Sequence, residues 1–342
     1  MQIWARCLLI LVTLGILPSC QKSYHEENET YYLVGMNLEN PYWQEVQRGF
    51  KSGVSSLGFE VNWEVVGPPV YDVEEQLQAF RGAVARRPAG ILVSPGIADA
   101  FTEPINQAIE QGIPVICIDS DAPDSRRITF IGTDNYEAGL QGGELALQLL
   151  DAKLKNRRIR RVNVILLTIP GQLNLDERVR GYREALGRNR KINFMAVLDD
   201  EGQVQKAYDA ITALLVQEGE PIDAIIAVEA SGGQGAADSL YTIDMHGKIP
   251  IIAMDKNPLT LDWIERGGIA ATISQKPYTM GFYGVKLLDD LHHNAVRQFT
   301  DWRTAPVYPV PSIIDTGTAI VNKENLQAFR DALPPPPGPL SM

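Results

Sequence analysis

Short apolar runs in this chain end repeatedly in side chains that accept or exchange hydrogen bonds. Asn37 and the tetrapeptide Asn40-Pro41-Tyr42-Trp43 follow the run from Tyr31 to Met36. Ser94-Pro95 follows Ile91-Leu92-Val93, and Asp119-Ser120-Asp121 follows the run from Val115 to Ile118. Thr168, Asp199-Asp200, Glu229, Asp255 and Gln275 stand in the same relation to later runs. One carboxylate accepts from two neighbouring hydroxyls, and a carboxamide both donates and accepts, so such a set suits a polyhydroxylated ligand. Tyr42 and Trp43 add flat rings whose faces complement the polarised C–H groups of a sugar ring. As neighbours at a helix start, only one of the two is expected to face a cleft. Some of these polar positions are helix N-caps, and Asp72, Asp99 and Asn257 fit that role better than ligand contact.

Covalent chemistry finds little support. The four histidines are His25 in a polar segment, His246, and the adjacent pair His292 and His293, which project in different directions on a helix. No His-Glu-x-x-His, Cys-x-x-Cys or Gly-x-Ser-x-Gly pattern occurs, so neither a metal nor a nucleophilic site is expected. Gly232-Gly233-Gln234-Gly235 opens a helix after a strand, but Asp238 stands where a dinucleotide fingerprint needs glycine, and the Walker lysine is absent. The chain therefore reads as a binding protein with no cofactor. Its 31 basic and 42 acidic residues give a net charge of -11 without a basic stripe, which excludes nucleic acid as a partner.

The elements that position these residues are legible from the changing hydrophobic period. Val46, Phe50, Val54 and Leu57, and then Val73, Leu77, Phe80 and Val84, recur at helical spacing between strand-like runs. The alternation continues to a helix over 281–291. Such βαβ repetition implies parallel sheets covered by helices, and about ten strands over roughly 290 residues suit two lobes better than one sheet. Outside this core, residues 1–19 read as a signal peptide, with an apolar run of about a dozen residues, too short to span a membrane. Leu17-Pro18-Ser19-Cys20 resembles a bacterial lipobox, which makes Cys20 the expected lipidation site despite Pro18. Residues 20–30 read as a polar tether and 331–342 as a disordered proline-rich tail. Cys117, inside an apolar run, is expected in the core.

Five segments resemble the periplasmic ribose-type sugar-binding proteins, the type I solute-binding proteins of ABC importers. They are Asn40-Pro41-Tyr42-Trp43, Ile113 to Asp119, Gly132-Thr133-Asp134-Asn135, Ile252 to Asp255 and Ala270 to Gln275. The resemblance covers about residues 31–325. It implies two Rossmann-like lobes, 31–133 plus 275–306 and 134–274 plus 307–325, joined by crossovers near Thr133, Gln275 and Val307. It further implies that Asn40, Asp119, Asp255 and Gln275 hold sugar hydroxyls while Tyr42 and Trp43 pack on the ring. Arg178, in the Arg-x-x-Gly-Tyr motif, and Glu229 complete the expected set. The family's arginine falls at Asp176, its basic residue after the first aspartate at Ser120, its asparagine at Glu229 and its second-lobe aromatic near Gly202, so ribose itself is disfavoured. These departures disfavour an anionic ligand, and a neutral monosaccharide or polyol fits better. Glu229 and Asp176 would suit an amino sugar, or else pair with Arg178 or Lys256. The expected function is capture of the ligand by hinge closure, as a monomer outside the cytoplasm, and delivery to the membrane permease of an ABC importer. The alternatives are a ligand-sensing subunit of a membrane signalling protein and a receptor for a non-sugar signal molecule. A repressor core of the LacI type would need a helix-turn-helix where the export signal stands.

Overall fold

The computed structural model of the chain describes residues 25–26, 29–217, 221–293 and 309–333. The expected signal peptide, Cys20, the crossover at Val307 and residues 334–342 of the expected tail lie outside these residues.

Strands and helices alternate as the changing period implies. The first group is β1 (Thr30–Val34), α1 (Pro41–Ser55), β2 (Asn62–Val66), α2 (Val73–Ala85), β3 (Gly90–Val93), α3 (Ala98–Glu110), β4 (Val115–Ile118) and β5 (Phe130–Gly132). The second is α4 (Asn135–Leu149), α5 (Asp151–Lys155), β6 (Val162–Thr168), α6 (Leu173–Gly187), β7 (Ile192–Asp199), α7 (Val204–Gln217), β8 (Ala224–Ala227), α8 (Gly232–Thr242), β9 (Ile251–Met254), α9 (Pro258–Arg266) and β10 (Ala271–Ser274). α10 (Pro277–His292), β11 (Ile313–Asp315), β12 (Ala319–Asn322) and α11 (Leu326–Ala332) follow.

Two six-stranded sheets result, ordered β11-β5-β4-β3-β1-β2 and β12-β10-β9-β8-β6-β7. All strand pairs are parallel except β10 with β12. Each sheet is buried on both faces, which is why its strands read as continuous apolar runs. In β1, Tyr31 and Leu33 enter one core cluster while Tyr32 and Val34 enter another. In β6, Ile165 and Leu167 face one cluster and Val164 and Leu166 the other. Cys117 is a fully buried member of the first lobe's core. No helix among the described residues is long and apolar enough to cross a membrane.

The chain crosses between the sheets after β5, after β10 and between β11 and β12. The third crossing therefore falls at residues 316–318, not at Val307. β11 stays in the first sheet because Phe130 N donates to the Ser312 carbonyl, Thr129 Oγ1 donates to the Pro311 carbonyl, and the buried Arg127 guanidinium donates to Ser312 O. Two other boundaries shift. Asp331 and Ala332 are the last turn of α11 rather than the start of a tail. In the expected tether, His25 and Glu29 are buried, because their imidazole and carboxylate find partners at the end of α10, Asp289 and His293.

In each lobe one helix pair crosses at near backbone contact, α1 with α10 and α4 with α6. A Cβ at Gly49 would lie 2.0 Å from the Tyr278 carbonyl oxygen, and one at Gly281 would lie 2.3 Å from that of Val46. The second lobe repeats the device: a Cβ at Gly139 or Gly181 would lie 2.2 Å from the carbonyl oxygen of Arg178 or Tyr136. Backbone cannot yield as a flexible side chain does, so Gly49→Ala should lower stability by about 2–3 kcal/mol. Gly82, in the last turn of α2 with nothing near its missing Cβ, is the counterpart. Gly82→Ala should raise stability by about 0.5–1 kcal/mol. Urea unfolding of both variants checks the pair, and a neutral Gly49→Ala would contradict the packing.

Candidate ligand-binding site

Both sheets follow the doubly wound order whose ligand crevice lies beyond the carboxyl ends of the strands where the winding reverses. The reversal falls between β1 and β3 in one sheet and between β6 and β8 in the other. Both points open on the same cleft, about 550 Å³ counted with its mouth.

The first wall is built at the start of α1. Asn40 adopts the extended N-cap conformation, its Oδ1 accepting from Tyr42 N at 2.9 Å, and Pro41 takes the first helical position, where a missing N–H costs nothing. Its Nδ2 has no partner among the described residues. Tyr42 and Trp43 are both buried and in edge-to-face contact, with centroids 5.8 Å apart. Both line the cleft, whereas the sequence suggested that only one would. The Tyr42 hydroxyl donates to Asp119 Oδ1 at 2.6 Å, and the Ser94 hydroxyl donates to Asp119 Oδ2 at 3.2 Å.

Asp119 follows β4 and Asp255 follows β9, the corresponding strands of the two sheets. Both have left-handed backbone, φ 62° and φ 68°. That region costs a non-glycine residue on the order of 1–3 kcal/mol and is retained where surrounding structure enforces it, typically at functional sites. Burial raises the Asp119 carboxyl above its usual range, against the hydrogen bond from Tyr42 and the charge of Arg178. Burial likewise pushes the Asp255 carboxyl up to about 7, opposed by Arg178 and by the Gln275 amide.

Arg178 is the cation between them. Only 2% exposed, it projects from α6 and donates from Nε to Asn135 Oδ1, from one terminal nitrogen to the Val228 carbonyl, and from the other to Gln275 Oε1, each at 2.8 Å. Gln275 passes the chain on, its Nε2 donating to Asp255 Oδ1 at 3.0 Å. Asn135 and Gln275 sit beside the first two crossings, so the guanidinium ties both to the second lobe. A planar fork with five donors suits this position, and a lysine would not replace it.

Glu229 also lines the cleft, but its carboxylate accepts from Ser231 N at 2.8 Å and from Gly232 N, capping α8. It pairs with neither Arg178 nor Lys256. The glycine-rich helix entry is thus filled by the protein's own anion. Asp200, wholly buried beside Glu229, has its carboxyl raised by burial and by that neighbouring charge. Asp176 is exposed, accepts from Gly171 N and stays outside the cleft. Lys256 instead forms an ion pair with Glu45 of α1 at 2.7 Å, joining the lobes across the cleft. Among the expected caps, Asp72 accepts from Glu75 N, Asp99 lies inside the first turn of α3, and Asn257 makes no side-chain cap bond.

The structure brings all eight residues singled out from the sequence, Asn40, Tyr42, Trp43, Asp119, Arg178, Glu229, Asp255 and Gln275, to one cleft. Sequence reasoning missed Tyr71, Gln172 and Asn174, which line it too. Gln172 and Asn174 straddle the start of α6 after the Pro170-Gly171 turn. The buried Gln172 Nε2 has no hydrogen-bond partner among the described residues, leaving a donor for a ligand.

A family model described as the periplasmic binding protein domain matches residues 31–294. The chain belongs to the periplasmic binding protein family. Within this family it is 25% identical over 267 residues to the D-allose-binding periplasmic protein of Escherichia coli, covering 76% of this chain and 83% of that one. It superposes on the sugar-binding protein of a sugar ABC transporter from Bacillus halodurans with a TM-score of 0.76 and 33% identity, covering 88% of this chain and all of that one. A structure titled XylFII-LytSN complex aligns at 26% identity and a TM-score of 0.75, covering 87% of this chain and 99% of that one. The type I periplasmic binding protein fold, two parallel-sheet lobes joined by three crossings, is therefore the family's own.

Proposed function

We propose that the protein captures a neutral monosaccharide or polyol between its lobes by hinge closure and delivers it to the permease of an ABC importer. One observation carries this reading. Two buried aspartates, one at the end of the corresponding strand in each lobe, face a single cleft whose wall is aromatic. Each carboxylate can take two vicinal hydroxyls, so a ligand held by both bridges the lobes and has differential affinity for the closed form. Asn40, Gln172 and Asn174 supply the donors and acceptors that a ring oxygen and the remaining hydroxyls require. With the Glu229 charge engaged at α8, the free acidity near Arg178 is that of Asp119 and Asp255, which disfavours anionic sugars.

Names of relatives support the same class: allose-binding and xylose/arabinose-binding proteins align with most of this chain. The XylFII-LytSN complex supports a second reading, in which the closed protein docks on a membrane sensor instead. Both readings place the protein outside the cytoplasm, and Cys20 would hold it at the membrane.

The test is a thermal-shift screen of residues 21–342 against pentoses, hexoses, polyols, amino sugars and sugar acids. A ligand at about a thousand times its Kd should add about 4 kcal/mol of stability. A selective shift with one neutral sugar or polyol is expected, and a shift confined to amino sugars or acids would overturn the charge argument. Pull-down of the purified permease or sensor domain by the liganded form then separates import from sensing.

A further inference from the structure

Far from the cleft, the fold assembles a cluster that neither sugar capture nor hinge closure uses. Asp289 and His293 lie one turn apart at the end of α10, on the same face of the helix. His25 and Glu29 come from the segment preceding β1, whose polar composition suggested only a tether. One ligand atom from each of the four lies within 4.8 Å of all the others. His25 Nδ1 is 2.7 Å from Glu29 Oε2 and 3.5 Å from Asp289 Oδ1. The His293 ring is 2.9 Å from Glu29 Oε1 through Nε2 and 3.3 Å from Asp289 Oδ1 through Nδ1. All four side chains are at most 10% exposed.

We propose that His25, Glu29, Asp289 and His293 bind one divalent transition-metal ion, zinc being the best match, which clips the N-terminal segment onto the first lobe. Four donors around zinc at bonds near 2.1 Å stand about 3.4 Å apart in a tetrahedron, and one donor from each residue lies within 4.8 Å of the others here. Two imidazoles with two carboxylates form a mixed nitrogen and oxygen set, which suits zinc and its neighbours, whereas calcium and magnesium take oxygen donors. Two carboxylates also neutralise the divalent charge in a buried place.

Outer partners that orient the donors are present. The Tyr31 hydroxyl donates to Asp289 Oδ1 at 2.8 Å, and Glu26 N donates to Glu29 Oε1 at 2.7 Å. The Phe59 ring, centred 4.5 Å from that of His25, covers one side. Such contacts fix ring and carboxylate orientation around a metal.

The position gives the ion a structural role. α10 begins just after Gln275 at the cleft and ends at this cluster, about 20 Å away at 1.5 Å per residue. His25 lies five residues after Cys20, so a metal here fixes the lobe's orientation relative to the point where the proposed lipid anchor leaves it.

The experiment uses residues 21–342, freed of metal with a chelator and dialysed, then titrated with zinc and with cobalt(II). One equivalent should bind, and the cobalt form should show the intense visible bands of tetrahedral coordination. His25→Ala and Asp289→Asn should each weaken binding by on the order of 100-fold or more, beyond the 10–100-fold that loss of an outer partner costs. His246→Ala, on the second lobe, should leave it unchanged. Zinc should also protect the N-terminal segment from limited proteolysis, and this protection should vanish in His25→Ala. Circular dichroism of metal-free His25→Ala should match that of the metal-free parent, so that lost binding is not lost folding. Absence of stoichiometric binding, or wild-type affinity in His25→Ala, overturns the proposal, and neither result bears on the sugar site.

Discussion

Replacing Arg178 with Met should lower ligand affinity more than 100-fold and reduce stability by about 3–5 kcal/mol. The guanidinium is buried, and its three hydrogen bonds reach Asn135, the Val228 carbonyl and Gln275. Removing it strands Asn135 Oδ1 and Gln275 Oε1 without donors and leaves Asp119 and Asp255 without the charge that opposes their desolvation. Breaking a buried charged network by deleting one partner costs about 3–5 kcal/mol. Arg178→Lys keeps the charge but not the fork, so it should recover part of the stability and little of the affinity. Equilibrium unfolding together with titration of the sugar identified by the screen checks both. Wild-type affinity in Arg178→Met would remove the guanidinium from the binding apparatus, while lost affinity with unchanged stability would show that it acts on the ligand and not through the network.

The fold was legible because its physics is local and repeated. Buried parallel strands write themselves as apolar runs, the helices between them as amphipathic spacing, and the ends of the strands as polar punctuation. β11 and β12 escaped notice because each is only three or four residues long, and β11 is exposed along much of its length. Its place in the first sheet depends on Arg127 and Thr129, more than 180 residues away. The third crossing could not be read from spacing for that reason. At the site, Asp119, Asp255 and Gln275 were recognised because each directly ends an apolar run, whereas Gln172 and Asn174 stand beyond the Pro170-Gly171 turn and were passed over. Glu229 was identified by type but not by role: that it caps α8 depends on the loop bringing Ser231 N and Gly232 N to its carboxylate. The histidines gave no motif because their meeting is tertiary, His25 reaching His293 only once α10 packs on the first sheet.

Stability and affinity should respond to pH in opposite directions, and Asp255 contributes to both. Its carboxyl sits near 7 in the folded protein, against about 3.9 in an unfolded chain. Between those values the unfolded chain gives up a proton that the folded protein keeps. The unfolded state then binds fewer protons, so the stability of the unliganded protein falls as pH rises. The contribution is fully present below about pH 4 and gone above about pH 7, and three units correspond to about 4 kcal/mol on an order-of-magnitude scale. Asp255→Asn should lessen this slope by one group's share, leaving what Asp119 and the Asp200–Glu229 pair contribute with the same sign. Hydroxyl donors on a sugar stabilise the ionised form, so binding should release a proton from Asp255, and affinity should rise through pH 5 to 7. Urea unfolding across pH 4 to 8 measures the first effect, and calorimetry in buffers of different ionisation enthalpy counts the proton. An identical stability slope in Asp255→Asn would place the titration elsewhere. Proton uptake on binding, in place of release, would mean that the ligand meets Asp255 with an acceptor rather than a hydroxyl donor.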